Sequence, residues 1–354
     1  MSENFRLGLI GIGDMAEVHA AAAQRLGVSM AVAAGQNPSR AKALAQSTGA
    51  EFYDNVEQML ADPQVTAVDL CVPNDLHRRF AEQSLRAGKH VLCEKPVSLS
   101  LEDADAILTA AKSTGRTLMV GHLIRFWPEY RRLREGLHNS EFGRVDWLSL
   151  RRLTGVLSAT AGREEWRTNV ARSGGAALDL QIHDLDFACW AFGTPTSVVA
   201  RGVRSSGGTW DHVSTLATFG ESTVMVEASF LMQGAPFEMS FHAVTERGTV
   251  SYRYSPENFA LHGLHGESET EEEPKRAASL RLFPAGSDPI DLYTPEVDSF
   301  QLAIDGEIRE FVTAVTEGRE PLCTGEDARR SLAVALGSLR SCVTGESVTG
   351  PFEH

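Results

Sequence analysis

The chain has 354 residues, of which 42% are hydrophobic and 23% are charged, as is typical of a globular protein. This composition excludes collagen-like, intrinsically disordered and small disulfide-rich proteins. The formal net charge of −14 disfavours a nucleic-acid or anionic-membrane surface, although it leaves room for a local basic pocket that binds one phosphorylated ligand. A chain of this length is expected to fold as two domains, because one core would be unusually large.

The cysteines and the N-terminus bear on the cellular compartment. The five cysteines lie far apart, without the spacing of a disulfide framework or a structural zinc site. His262 and His265 lie close together but have no third ligand nearby, so no metal site is predicted. The first residues lack the features of a signal peptide, and no apolar run approaches bilayer length. We therefore expect a cytoplasmic protein with no membrane partner.

The segment from Phe5 to about His122 alternates short apolar runs with amphipathic stretches, which is the pattern of strands joined by crossover helices in a parallel sheet. The apolar runs are Leu7–Ile10, Met30–Ala34, Ala67–Val72, His90–Cys93 and Thr117–Val120. The helical stretches are Ala16–Leu26, Arg40–Ser47, Leu76–Ala87 and Glu102–Ser113, several of which are followed by a glycine suited to a helix C-cap. Residues 1–122 are therefore predicted to form a doubly wound α/β domain of the Rossmann type.

The rest of the chain shows a different pattern. After a predicted helix over Trp127–Leu137, short runs alternate apolar and polar residues between tight turns, which predicts antiparallel strands. These runs are Val145–Leu153, Ser197–Val203, His212–Phe219, Thr223–Met232, Glu238–Val244, Thr249–Tyr254 and Ser279–Phe283. Helical spacing recurs in Leu178–Phe192, Asp298–Thr316 and Glu326–Cys342, whereas the acidic stretch 267–273 is predicted to be a solvated loop. Residues 123–354 are therefore predicted to form an α+β domain with a large, open, mostly antiparallel sheet.

The first chemical motif is a dinucleotide fingerprint of the form G-x-G-x-x-A. It reads Gly11, Ile12, Gly13, Asp14, Met15 and Ala16, and it stands between an apolar strand and an amphipathic helix. Gly11 permits a tight turn, Gly13 lets the backbone approach a pyrophosphate, and the helix N-terminus supplies amide donors. A glycine-rich turn that binds nothing is the alternative, but the position at the first strand-to-helix turn favours nucleotide binding.

The end of the second predicted strand bears on the choice of cofactor. Rossmann domains that bind NAD usually carry an acid there to hold the ribose hydroxyls. This chain has Gly35, Gln36 and, farther on, Ser39 and Arg40. Because no carboxylate would repel a 2′-phosphate, and because the last three residues can donate hydrogen bonds to it, NADP is predicted over NAD. Alternatively, Arg40 opens a helix and stacks on adenine.

Two further motifs follow predicted strands, at the edge where ligands bind in open α/β sheets. The first consists of Val72, Pro73 and Asn74, with His77 following, and the second is Glu94-Lys95-Pro96. A lysine in a loop made rigid by proline could donate a hydrogen bond to a substrate oxygen and favour its alkoxide form. The alternative is an ordinary surface lysine paired with Glu94.

These residues resemble those of a known family. Glu94-Lys95-Pro96, preceded by Ala87-Gly88-Lys89-His90-Val91, resembles the signature of the Gfo/Idh/MocA oxidoreductases, which include glucose–fructose oxidoreductase and inositol dehydrogenase. The loop from Val72 to His77 is similar to the family loop beside the nicotinamide, and Gly121–Tyr130 resembles the crossing between the domains. The residues from Glu165 to Asp186 resemble the catalytic segment, so the resemblance covers nearly the whole chain.

The resemblance implies roles for individual residues. Lys95, Asp179 and His183 would act together on the substrate, with Arg125 as a further substrate contact. Together with the fingerprint, the resemblance implies that the cofactor is bound by Gly11, Ile12, Gly13, Asp14, Met15, Gly35, Gln36, Arg40, Val72, Pro73, Asn74, His77, Glu94, Lys95, His122, Trp166 and Arg167. Gln181 stands where the family frequently has glycine, and it is expected to alter the substrate pocket beside His183.

The spacing of Asp179 and His183 supports their assignment independently. Residues four apart on a helix face the same side, so the carboxylate can orient the imidazole and stabilise its protonated form. A histidine that removes a hydroxyl proton while hydride leaves the same carbon requires this support. An Asp–His pair with a purely structural role is the alternative.

The expected function is NAD(P)-dependent oxidation or reduction between a secondary alcohol and a ketone of a sugar, inositol or related polyol. A biliverdin-reductase-like or imine-reducing enzyme would share the cofactor domain without Lys95, Asp179 and His183, and a non-catalytic nucleotide or sugar sensor would not need them.

Alternation along two predicted strands bears on assembly. It leaves one sheet face with mixed polar and apolar side chains, which predicts contact with another sheet rather than with water alone. These residues are Ser214, Leu216, Thr218, Thr223, Met225 and Glu227. A homodimer or homotetramer formed through this sheet is expected, and the family resemblance implies the same association.

Overall fold

The computed structural model describes residues 5–35, 37–155, 166, 169–205, 208–255 and 280–352. Gln36, Arg167, His262, His265 and the acidic stretch 267–273 lie outside the described residues. The chain divides into two compact units. One contains the residues up to Phe126 together with Gln301–Arg329, and the other contains Trp127–Phe300 together with the residues from Arg330 onward. The segment 301–329 therefore belongs to the first unit, whereas the sequence analysis had placed it in the second domain.

The first unit is built around a parallel sheet, which within the described residues has six strands. They are β1 (Arg6–Ile10), β2 (Ser29–Ala33), β3 (Glu51–Tyr53), β4 (Ala67–Leu70), β5 (His90–Glu94) and β6 (Leu118–Gly121). Their order, β3-β2-β1-β4-β5-β6, places β1 in the middle, with the chain winding outward on both sides. The predicted doubly wound sheet is thus confirmed. Strand β3 was not predicted from the sequence, because its three residues are too few to show a hydrophobic period.

Five helices connect these strands in the described part of the unit. They are α1 (Asp14–Arg25), α2 (Pro38–Thr48), α3 (Val56–Ala61), α4 (His77–Arg86) and α5 (Leu101–Thr114). The side chains of Asn37, Asn55 and Ser100 cap α2, α3 and α5 by accepting hydrogen bonds from backbone amides of the first turn. Gly49 and Gly115 end α2 and α5 in the left-handed conformation that glycine adopts without strain.

The second unit contains a sheet with nine strands in its described part. They are β7 (Val145–Leu153), β8 (Ser197–Arg204), β9 (Trp210–Phe219), β10 (Ser222–Ser229), β11 (Glu238–Thr245), β12 (Gly248–Tyr254), β13 (Leu280–Pro284), β14 (Ile290–Tyr293) and β15 (Val348–Thr349). The order is β14-β13-β12-β11-β7-β10-β9-β8-β15. Of these pairings, only β7 with β10 is parallel. This arrangement confirms the predicted large, mostly antiparallel sheet.

Helices α6 (Pro128–His138), α7 (Val170–Ser173) and α8 (Ile182–Phe192) of the second unit precede the main run of strands. A π-helical turn, Ala177–Gln181, leads directly into α8. Arg152 on β7 and Asp184 on α8 form a buried ion pair, with 3.0 Å between Nε and Oδ2. The hydroxyl of Tyr130 on α6 donates to the same carboxylate at 3.4 Å. These contacts attach α8 to the sheet at the residue next to His183.

Two long helices follow β14: α9 (Ser299–Glu317) and α10 (Gly325–Thr344). In the first unit, the ring of Phe311 on α9 lies edge-on to Phe5, with 6.5 Å between the ring centroids. Asp305 on the same helix forms an ion pair with Arg25. These contacts explain why the segment 301–329 joins the first unit. No helix in the described part of the chain is both long enough and apolar enough to cross a membrane.

We expect Arg152→Leu to lower the free energy of unfolding by about 3–5 kcal/mol, because it leaves the buried carboxylate of Asp184 without its cation. Chemical denaturation at pH 7 measures this loss. Arg144→Leu is the matched control, since its ion pair with Asp146 is exposed and solvent-screened and contributes little to stability. Equal losses in the two variants would show that the Arg152 pair does not anchor α8.

Candidate active-site residues

The fingerprint turn lies between β1 and α1. Gly11 has a φ of +110°, and a Cβ there would lie 2.1 Å from the carbonyl oxygen of Cys71, so only glycine fits. A Cβ at Gly13 would meet no described atom within 4 Å, and this residue is the N-cap of α1. The space above Gly13 is therefore open to a pyrophosphate at the positive end of the helix, and Ala16 is fully buried where the helix packs on the sheet. These residues fit a dinucleotide. Ile12, Asp14 and Met15 are half-buried in the same turn.

Arg40, predicted to contact a 2′-phosphate, is held by acids that the sequence analysis did not consider. Its guanidinium donates to Glu17 on α1, at 2.6 Å from Nη2 and 3.1 Å from Nε. Asp14 Oδ1 lies 3.4 Å from Nη2. Gly35, just beyond β2, is exposed. A phosphate bound here would have to share Arg40 with Glu17.

His77 connects the loops that follow β4 and β5. Its imidazole is completely buried, with Nδ1 2.8 Å from the carbonyl oxygen of Pro96 and Nε2 3.0 Å from that of Val72. Burial lowers the pKa of His77. The two backbone carbonyl oxygens raise it, but by less than burial lowers it. The ring therefore holds the two loops together, a structural task in addition to the predicted cofactor contact. Asn74 is also buried, while Pro73 is half-buried.

Lys95 lies directly after β5, half-buried, and its peptide bond to Pro96 is cis. Its backbone amide donates to Oε2 of Glu94 at 3.0 Å. The other Glu94 oxygen, Oε1, lies 3.2 Å from Nε2 of His19 on α1. Burial by itself would raise the pKa of Glu94, but the hydrogen bond and charge of His19 lower it below its ordinary value. Glu94 is therefore an interior carboxylate that supports the Lys95 backbone.

Asp179 and His183 lie on one continuous helical segment of the second unit. Asp179 is in the π-helical turn and is buried, whereas His183 is in the first turn of α8 and is half-buried. The predicted helical setting of the pair is thus present, with a turn wider than that of an α-helix. Single π-helical turns occur frequently at functional sites.

Gln181, between these two residues, is expected to alter the substrate pocket, and its side chain is held by the sheet. Its side chain is buried and donates to the carbonyl oxygens of Val213 on β9 and Val226 on β10, at 3.1 and 3.0 Å. The hydroxyl of Thr215 donates back to its Oε1 at 3.3 Å. The amide is therefore turned into the sheet rather than toward a pocket beside His183, and it anchors the wide turn.

Arg125 and His122 are both buried in the first unit. Nη1 of Arg125 donates to the carbonyl oxygen of Leu322 at 2.9 Å and to Oδ2 of Asp327 at 3.1 Å. Because the guanidinium is 1% exposed, we assign it a structural role at the start of α10, and its contact with substrate stays a prediction. Trp166 is half-buried in the second unit.

Comparisons with known proteins agree with both halves of the fold. A model described as an oxidoreductase family with an NAD-binding Rossmann fold matches residues 5–122, and a model of the GFO/IDH/MocA C-terminal domain matches residues 130–251. The inositol 2-dehydrogenase of Rhizobium meliloti is 28% identical over 348 residues, covering 95% of this chain and 96% of that protein. The 1,5-anhydro-D-fructose reductase of Ensifer adhaerens is 28% identical over 354 residues, covering 97% of each.

A solved structure shows the same fold over nearly the full length. Levoglucosan dehydrogenase, in complex with NADH and levoglucosan, has a TM-score of 0.81 to this chain at 20% identity, covering 99% of this chain and 100% of that one. Since the two domain models match consecutive parts of the chain and the relatives match almost all of it, the chain belongs to the Gfo/Idh/MocA family of oxidoreductases.

Proposed function

We propose that the chain is an NAD(P)-dependent oxidoreductase that interconverts a secondary alcohol and a ketone of a sugar, inositol or related polyol. The observation that carries the proposal is a Rossmann unit with Lys95 at the end of β5, in one chain with Asp179 and His183 on a single helical segment. The names of the relatives, an inositol 2-dehydrogenase and an anhydrofructose reductase, support this substrate class.

The proposed division of labour follows from the residue chemistry. A bound NAD(P) would supply the hydride acceptor in the oxidative direction. His183 takes the proton of the substrate hydroxyl, and Asp179 orients the imidazole and stabilises its protonated form. Lys95 donates a hydrogen bond to the substrate oxygen, where negative charge develops as the hydroxyl proton leaves. In the reductive direction, His183 returns the proton to the carbonyl oxygen.

Two other functions predict different behaviour. A biliverdin-reductase-like or imine-reducing enzyme would turn over a tetrapyrrole or a cyclic imine and no polyol. A sensor would bind the nucleotide or sugar without turnover. Asp179 is buried and lies four residues before His183 on one helical segment, and this setting favours the enzyme because a carboxylate so placed can support an imidazole that transfers a proton.

We expect Lys95→Met and His183→Ala to lower kcat by about 10²-fold or more, because each residue acts on charge that develops in the transition state. The measurement is the absorbance of reduced nicotinamide over a panel of polyols and ketosugars, with both NAD and NADP. Lys112→Met and His138→Ala, at exposed positions, are the matched controls.

Cofactor binding separates the two halves of this proposal. His183→Ala should keep its affinity for the cofactor, whereas Gly13→Val should lose it, because the new side chain fills the open space at the start of α1. Near-wild-type turnover by His183→Ala would show the assigned mechanism to be wrong.

We also propose that NADP is preferred over NAD. Arg40→Ala should weaken NADP binding by about tenfold or more and NAD binding much less, because a charge-assisted contact to the 2′-phosphate exists only in NADP. Glu17→Gln should strengthen NADP binding, since it releases Arg40 from its carboxylate partner. Fluorescence titration with NADPH and NADH measures both effects. An equal loss for the two cofactors in Arg40→Ala would mean that Arg40 only packs or stacks on adenine.

Finally, we propose that copies of the chain associate as dimers or tetramers through the outer face of the second unit's sheet. Leu216 on β9 is 40% exposed, and its register partner Met225 on β10 is half-buried. Light scattering at micromolar concentration should give at least twice the 38.4 kDa chain mass, and Leu216→Glu should reduce it to that of one chain. Val343→Glu, at an exposed position on α10, is the control. A wild-type mass near 38.4 kDa would contradict association, and an intact Leu216→Glu assembly would move the interface elsewhere.

A further inference from the structure

Behind Lys95, the first unit buries a cluster of titratable side chains that the proposed reaction does not use. Its members are His19 on α1, Asp69 on β4, Glu94 on β5 and Glu307 on α9. The facing atoms of His19, Glu94 and Glu307 all lie within 4.8 Å of one another. Burying three carboxylates beside one imidazole is costly unless their charges are compensated. The protonation of this cluster is therefore tightly constrained.

His19 supplies the positive charge of the cluster. Its Nδ1 lies 2.9 Å from Oδ2 of Asp69, and its Nε2 lies 3.2 Å from Oε1 of Glu94. Burial alone would lower the pKa of His19, but the charge of Asp69, with a further effect of Cys71, raises it well above its ordinary value. Nδ1 forms a hydrogen bond with Asp69 and Nε2 an ion pair with Glu94, so one protonated imidazole serves two carboxylates.

Glu307 is the third carboxylate, and it lies farther from His19 than Asp69 and Glu94 do. Its Oε1 lies 3.7 Å from Nε2 of His19, and within the described residues no N–H or O–H group donates a hydrogen bond to either of its oxygens. The side chain is 1% exposed. Burial raises the pKa of Glu307 to about 8; the charge of His19 lowers it in part, and the charges of Glu94 and Asp69 raise it further. These effects favour the protonated, neutral form of Glu307.

The backbone brings Glu94 and Glu307 to the same place. Gly121 on β6 is the register partner of Glu94. A Cβ at Gly121 would lie 2.9 Å from Oε1 of Glu307 and 3.5 Å from Oε1 of Glu94. The two carboxyl groups thus share the space that a larger residue would fill. Among the described residues, the other titratable groups that act on the cluster are Lys95 and the thiols of Cys71 and Cys93, whose raised pKa values keep those thiols neutral.

We propose that Glu307 is a positioning residue for Lys95: it donates a hydrogen bond to Glu94 and fixes the carboxylate that accepts from the Lys95 backbone amide. The role of Lys95 itself rests on the proposed function. A glutamine at 307 can make the same donation, whereas leucine cannot. The segment 301–329 thereby contributes to the site without touching substrate.

Kinetics of Glu307→Gln and Glu307→Leu, made in the full chain, test this role. Glu307→Gln should keep kcat within a few-fold at pH 7, and Glu307→Leu should lower it about 10–100-fold with little change in KM for the cofactor. The wild-type kcat should fall above about pH 8 as Glu307 ionises beside Glu94, and this fall should be absent in Glu307→Gln. Glu317→Gln, exposed on the same helix, is the control. Equal losses in the Gln and Leu variants would overturn the proposal.

A readout without turnover separates this inference from the proposed function. Lysines labelled by reductive ¹³C-methylation give one NMR signal for Lys95, assigned by its loss in Lys95→Met. That signal should shift or broaden in Glu307→Leu and stay in place in Glu307→Gln. An unchanged signal in both variants would overturn the positioning role. If the signal responds as expected while no polyol or ketosugar is turned over by the wild type, the proposed function fails instead.

The proton on Glu307 is tested by stability. Because the pKa of Glu307 is raised in the folded state, its contribution is fully present below the unfolded-state value near 4.5 and is lost as pH rises toward 8. Relative to Glu307→Gln, the wild-type ratio of folded to unfolded protein should fall by up to about tenfold per pH unit in this window. If this ratio changed with pH equally in the wild type and in Glu307→Gln, Glu307 would not be a neutral acid. The same conclusion would follow if the wild type bound one stoichiometric divalent cation that Glu307→Gln did not bind.

Discussion

A charge buried in a protein needs a partner close enough to replace the water it has lost, and both units place such a pairing directly behind the residues proposed to act on substrate. In the first unit, protonated His19 lies between Asp69 and Glu94, and Glu94 accepts from the backbone amide of Lys95. In the second, Arg152 pairs with Asp184, the residue after His183. The proposed catalytic side chains thus stand on backbone that buried ionic contacts hold in place.

The path of the chain serves the same end. The segment 301–329 returns to the first unit after the large sheet is complete, and it brings Glu307 to the carboxyl ends of β5 and β6. It also supplies Asp327, which pairs with the buried guanidinium of Arg125. A Rossmann unit without this segment would leave the cation of Arg125 without that carboxylate. The first unit is therefore completed by a part of the chain far from it in sequence.

At the nucleotide end of the first unit, Arg40 already contacts two carboxylates, those of Glu17 and Asp14. Arg40 has the position expected of a residue that binds a 2′-phosphate, yet Glu17 already accepts two hydrogen bonds from it. The proposed preference for NADP over NAD depends on how readily Arg40 leaves Glu17, and this is a difference between two charge-assisted interactions of similar strength. The missing acid at Gly35 removes a repulsion but does not by itself decide the preference.

The sequence by itself determined the features that depend on local chemistry. Helix α5 lies between a serine cap and a glycine C-cap, the fingerprint turn requires Gly11, and β7 has the predicted bounds, because hydrophobic period, caps and turns act over a few residues. The lysine motif and the spacing of Asp179 and His183 were likewise readable as patterns. The short strands β3, β14 and β15 escaped prediction because they are too short to show a period.

Only the tertiary structure decided which distant side chains meet. It turned Gln181 into the sheet, paired Arg125 with Asp327, joined Arg40 to Glu17 and set Glu307 beside Glu94. Each of these outcomes depends on a partner contributed by another helix or strand. The chemistry of a single residue type states only that a buried charge needs a partner, and the folded backbone selects which partner it has.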